Sequence, residues 1–148
     1  MAEGDGFIMG VFKHQVMEGI YNLQSANLRV CLIHGAAPIM DTDTCLADII
    51  DQEVAGAGYT TKGELVGTPL VTYEAGLDLG KFDGNNVTWT GLLLTTPADA
   101  IPDWAVLYDD GITTPSADML IAYWALTTVT NGGNYTLAWH ADGIITLT

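Results

Sequence analysis

Residues 85–124 read NNVTWTGLLLTTPADAIPDWAVLYDDGITTPSADMLIAYW. Three apolar runs, Val87 to Leu94, Trp104 to Tyr108 and Met119 to Leu126, are rich in β-branched and aromatic residues. They are cut by Pro97, Pro102, Gly111 and Pro115. Short apolar runs of this composition, bounded by turn formers, are the pattern of buried strands in an all-β core. No residue in the stretch stands in a recognisable reaction centre.

The same punctuation recurs on both sides of this stretch. Leu28, Val30 and Leu32 alternate with Arg29, Cys31 and Ile33, which predicts a strand over 27–34. Pro69 to Tyr73 predicts another, Leu77 to Phe82 a short one, and Asp83-Gly84-Asn85 a tight turn. Asn131-Gly132-Gly133 is a turn signal. Tyr135 to Trp139 and Ile144 to Leu147, joined by Asp142-Gly143, read as a closing hairpin. Thr44 to Val54 is the best helix candidate, because Leu46, Ile49, Ile50 and Val54 fall at helical spacing. Lys13 to Leu23 fits either a helical turn or a loop. The expected fold is all-β, a jelly-roll-like two-sheet antiparallel β-sandwich of about eight strands with one short helix.

The first twelve residues divide in two. Residues 1–6 are small or acidic, and Phe7 to Phe12 is almost wholly apolar (Phe7, Ile8, Met9, Val11, Phe12). This segment fits an edge strand of the domain, or an arm that packs on a neighbouring subunit. The expected division is an N-terminal arm, 1–12, and a β-sandwich domain, 13–148.

The chain has 148 residues, enough for one domain with its own core. Asp and Glu number 18 against 4 Lys and Arg, a net charge of −14. Four cations cannot form the basic stripe that a nucleic-acid partner requires, and an anionic membrane surface would repel the chain. An acidic, solvated exterior is the simplest reading. No signal peptide or bilayer-spanning run is visible, so synthesis in the cytoplasm is expected, with Cys31 and Cys45 reduced.

Few residues of the chain carry readable chemistry. Ser25 and Ser116 lie in no nucleophile motif. Cys31 sits in an apolar run, where a thiol behaves as a small hydrophobe rather than the partner of His14, His34 or His140. Asp41-Thr42-Asp43 and Asp109-Asp110-Gly111 offer oxygens suited to calcium, yet capping and turn formation explain both more simply. Asn86 and Asn134 head glycosylation sequons that matter only in a secreted chain. Trp89 and Trp139 are expected in the core. In L-I-A-Y-W-A-L, Tyr123 and Trp124 are adjacent, so an extended strand must turn one of them outward as an interface candidate. No catalysis and no cofactor are expected.

Six pieces occur in a suggestive order. They are GYTTKGEL (58–65), VTY (71–73), FDGNNVTW (82–89), AVLYD (105–109), LIAY (120–123) and NGGNYTLAWHADGIITL (131–147). In this order the chain resembles small virion structural proteins of tailed bacteriophages, from about Phe12 onward. The resemblance implies a jelly-roll-like decoration or cement protein on the outer capsid surface, made in the host cytoplasm. Its partners would be the major capsid protein and itself, as homodimer or homotrimer. Candidate contacts are then Phe7, Ile8, Met9, Val11, Phe12, Tyr123 and Trp124. An alternative is a tail or fibre module recognising host-surface glycan through Trp124. Two departures stand out: Lys62 occupies a position where that group often has glycine, and Trp124-Ala125-Leu126 replaces an acidic, glycine-containing stretch.

Overall fold

The computed structural model describes residues 6–24, 27–111 and 117–147. Among the described residues, one α-helix, α1 (Gly10–Met17), accompanies twelve strands. These are β1 (Phe7–Ile8), β2 (Leu28–Ile33), β3 (Ala55–Ala57), β4 (Glu64–Leu65), β5 (Leu70–Glu74) and β6 (Leu79–Asp83). The second half adds β7 (Val87–Trp89), β8 (Leu93–Thr96), β9 (Trp104–Asp109), β10 (Leu120–Ala125), β11 (Tyr135–Leu137) and β12 (Ile145–Leu147). All pairings are antiparallel, and the fold is all-β and sandwich-like. In place of two sheets the described residues form four: β1-β10-β9-β2-β4, β12-β6-β5, β11-β7 and β3-β8.

The five-stranded sheet is the centre. Residues 30–33, 105–108 and 120–124 are buried without alternation, so the sheet is covered on both faces. Trp89, Leu92, Phe82, Leu46 and Ile49 join the same core.

Three expectations are corrected. First, 44–54 forms two 3-10 turns, Leu46–Asp48 and Ile50–Gln52. Both ends of this segment are pinned by bridges, Cys45 to Met119 and Glu53 to Ile33. A 3-10 turn advances about 2.0 Å per residue against 1.5 Å for an α-helix, so it covers more distance with the same residues. Leu46 and Ile49 are still buried, because their spacing serves a tight turn as well.

Second, the α-helix lies earlier, at Gly10–Met17. It ends in a Schellman motif: Gly19 is at φ +69°, its N–H bonds Val16 O, and the Ile20 N–H bonds Gln15 O, each 3.1 Å. Third, the closing strands do not form a hairpin. β11 pairs with β7, where the hydroxyls of Thr88 and Thr136 lie 2.9 Å apart, and β12 pairs with β6. Residues 138–144 therefore carry the chain from one sheet to another.

Candidate functional site

The candidate contact residues converge on one edge of the central sheet, but mostly from inside. β1 is an edge strand: Phe7 pairs with Tyr123 and Ile8 with Ala122. Phe7 stacks on the Tyr123 ring at 5.1 Å, and Trp104 meets the same ring edge-on. Met9 and Phe12 are buried, Ile8 and Val11 are half-buried, and only Phe7 is well exposed. The apolar part of the expected arm thus lies on its own domain; residues 1–5 fall outside the described residues. The boundary at residue 12 has no counterpart in the packing.

Neither Tyr123 nor Trp124 faces outward, because strand β10 is buried on both sides. Trp124 is 7 % exposed. Its indole lies beneath Gly6, where a Cβ would overlap the ring, and against Trp139 at 5.1 Å. The glycan alternative relied on an exposed Trp124, which is absent. A groove of about 320 Å³ opens beside this pair, lined by Ile8, Trp124, Leu137, Trp139, Asp142 and Ile144 among others. Trp139 is only half-buried; Asn85 O and Asn86 Oδ1 hold its two N–H groups at 2.9 and 3.0 Å. Trp89 is buried as expected.

At the other edge, two of the chain's cations gather two carboxylates. Arg29 Nε lies 2.7 Å from Asp110 Oδ2, and Lys62 Nζ lies 3.6 Å from Asp110 and 3.4 Å from Asp118. Asp118 is fully buried; burial raises its pKa above the ordinary carboxylate range and the Lys62 ammonium pulls it back. Glu53 is likewise raised by burial, and the Tyr59 hydroxyl and the Lys62 N–H bond it and lower it again.

The loop that bears Lys62 is bolted to the sheet. Tyr108 Oη donates to Lys62 O (2.7 Å), Tyr59 Oη accepts the Leu32 N–H (3.1 Å), and Arg29 reaches Gly63 O (3.1 Å). Lys62 sits at φ +70°, in the left-handed region that favours glycine. This explains why glycine suits the position, and the ion pairs explain what lysine adds.

Cys31 is fully buried and its thiol is pushed upward chiefly by desolvation, the reverse of an activated nucleophile. Ser25 and Ser116 lie outside the described residues. The Asp43 carboxylate accepts the Ile39 N–H at 2.7 Å, closing its turn. No group of three or more His, Cys, Asp or Glu side chains among the described residues is arranged to hold a metal ion.

The largest departure from burial is in the three-stranded sheet. All five residues of β5 are exposed. Register puts Val71, Phe82 and Ile145 in one row, and Tyr73, Gly80 and Leu147 in the next, on the same face. Phe82 and Ile145 are buried, but Tyr73 is 67 % exposed, Leu147 59 % and Val71 44 %. The core face of this sheet therefore continues beyond the core as an open apolar surface flanking Gly80. The opposite face is mixed: it carries Thr72, Glu74, Lys81, Asp83 and Thr146 together with an exposed Leu70 and a buried Leu79. Sequence pattern did not single out this surface: L-V-T-Y-E resembles a buried edge as much as an overhanging one. No protein-family model, curated protein or solved structure matches the chain.

Proposed function

We propose that this chain is a virion structural protein of a tailed bacteriophage, a decoration or cement protein that binds the outer capsid surface and stabilises contacts between major capsid subunits. The observation that carries the reading is the overhanging apolar face of β5, β6 and β12 on a domain with net charge −14. Such a surface suits contact with another protein, while the acidic remainder stays solvated and avoids packaged DNA. The ordered pieces supply the framework of that domain: GYTTKGEL locks a loop onto β2 and β9, and NNVTW anchors Trp139. A decoration protein present in many copies needs only modest affinity at each contact.

The test is occupancy on expanded heads that lack the protein. Leu147→Asp changes the apolar face at the strand farthest from the β5 edge and leaves the core intact. The expected result is a folded variant that no longer decorates heads bound by the natural chain. Unchanged occupancy of the variant, or a particle map in which the natural chain sits only in the tail, overturns the proposal. Deleting residues 1–12 would not test the surface, because it removes Met9 and Phe12 from the core.

A further inference from the structure

Among the described residues no strand pairs with the outer edge of β5, and its sequence is complementary to itself. We infer that two copies of this chain pair antiparallel through β5 about a two-fold axis at Thr72, joining their three-stranded sheets into one of six strands. In an antiparallel ladder alternate residues direct their N–H and C=O groups to the same neighbour. The residues of β5 that face away from β6 therefore share one parity, and a two-fold partner can pair only residues of equal parity. The axis must pass through a residue, not between two.

Among such registers, the one centred on Thr72 uses all five residues of Leu70–Glu74. It sets Thr72 opposite Thr72 of the second copy, Val71 opposite Tyr73, and Leu70 opposite Glu74. Thr–Thr and aromatic–β-branched pairs are favourable cross-strand neighbours. Centring on Val71 brings Pro69 opposite Tyr73, and Pro69 has no N–H to donate. Centring on Glu74 opposes two carboxylates.

The chosen register also continues the exposed rows. Leu147, Gly80 and Tyr73 of one copy run on into Val71, Phe82 and Ile145 of the other. A four-residue cluster of Val71 and Tyr73 from both copies then covers the axis, which is the self-complementary geometry a two-fold interface requires. Long apolar edges in soluble proteins are normally blunted by a charge, a proline or a covering element; here Pro69 precedes the strand and Glu74 ends it, and Leu70–Tyr73 between them carries neither charge nor proline.

This pairing does not depend on what the domain decorates, and its test is separate. A five-residue edge join is smaller than a standard interface of roughly 1,600 Å², so a micromolar dissociation constant is expected. Sedimentation velocity of the full chain should show a reversible monomer–dimer equilibrium. Val71→Lys, at an exposed position, should weaken it by about tenfold or more. With Cys45→Ser as background, Thr72→Cys should cross-link between copies under mild oxidation, since facing Cα atoms of an antiparallel pair lie about 4.5–5.5 Å apart, within disulfide reach. Glu74→Cys, opposite Leu70, should not. A monomer at every concentration, a trimer, or cross-linking at 74 as fast as at 72 overturns the inference. So does a chain that stays monomeric alone yet loses shell binding in Val71→Lys, because that outcome assigns the edge to a shell strand.

Discussion

Replacing Lys62 with Met tests the ionic cluster most directly. Met keeps the Cβ and the aliphatic stem, so the left-handed backbone at φ +70° is equally strained in both chains. What disappears is the ammonium 3.4 Å from the fully buried Asp118. At that distance two unit charges attract by about 5 kcal/mol with an effective dielectric constant of about 20. The Lys62 side chain is 29 % exposed, so part of this returns as lost hydration of the lysine. Removing one member of a buried pair costs about 3–5 kcal/mol in general, and the lower end, about 3 kcal/mol, is expected.

The pH dependence follows from the direction of the shift. Asp118 is raised above its unfolded value by burial. The stability linked to its protonated form is present in full below about pH 4 and is lost as pH rises through the folded pKa. Without Lys62 that pKa moves further up and the loss grows. The gap between the two chains should thus be widest near neutrality and shrink on acidification. The assay is urea unfolding followed by tryptophan fluorescence at about pH 7.5 and about pH 4.5. Asp118→Asn in the Lys62→Met background should restore most of the loss at neutral pH. A difference under about 1 kcal/mol, or one equal at both pH values, would refute the account.

Three further outcomes are expected. Gly63→Ala should destabilise by more than about 3 kcal/mol, since Gly63 is at φ +75° and a Cβ would overlap the Val30 carbonyl; Gly76→Ala, with open space around it, should change stability by under about 0.5 kcal/mol in the same urea titration. Met9→Ala should cost about 2–5 kcal/mol, and an unchanged denaturation midpoint would return Phe7 to Phe12 to the status of a detachable arm. A thiol reagent should modify the native chain once, at Cys45, and the denatured chain twice, by intact mass; a second adduct on the native chain would contradict the burial of Cys31.

What could be read from residues alone was decided by how local the signal is. Strands β2, β9 and β10 were legible because six-residue apolar runs between turn formers have few other uses. Pairing was not: Tyr135 and Ile145 are near in sequence, and nothing local says that one meets Trp89 and the other Phe82. The α-helix was legible only as a helical turn or a loop over 13–23, because its N-terminus has no side-chain cap and its one clear signal is Gly19 at the far end. Tyr123 and Trp124 were misjudged for a physical reason. Alternation separates inside from outside only when one face of a sheet meets water, and β10 has no such face. The candidate docking surface is the converse case, since Val71 and Tyr73 have core-like identities on a strand that projects past the core.

The pairing of β1 with β10 also sets a timetable for synthesis. At about 5–20 residues per second, Phe7 waits roughly 6–23 s before Tyr123 is made, and Phe12 and Met9 stay uncovered in the interval. The last two strands add their own delay, because β7 and β6 stay incomplete until residues 135–147 have emerged. By contrast β5 and β6 are neighbours in the chain and need only a microsecond-scale hairpin closure. On the ribosome, the β5–β6 hairpin that we infer meets a second copy therefore closes before the domain that carries it, and waits for β12 to complete its sheet.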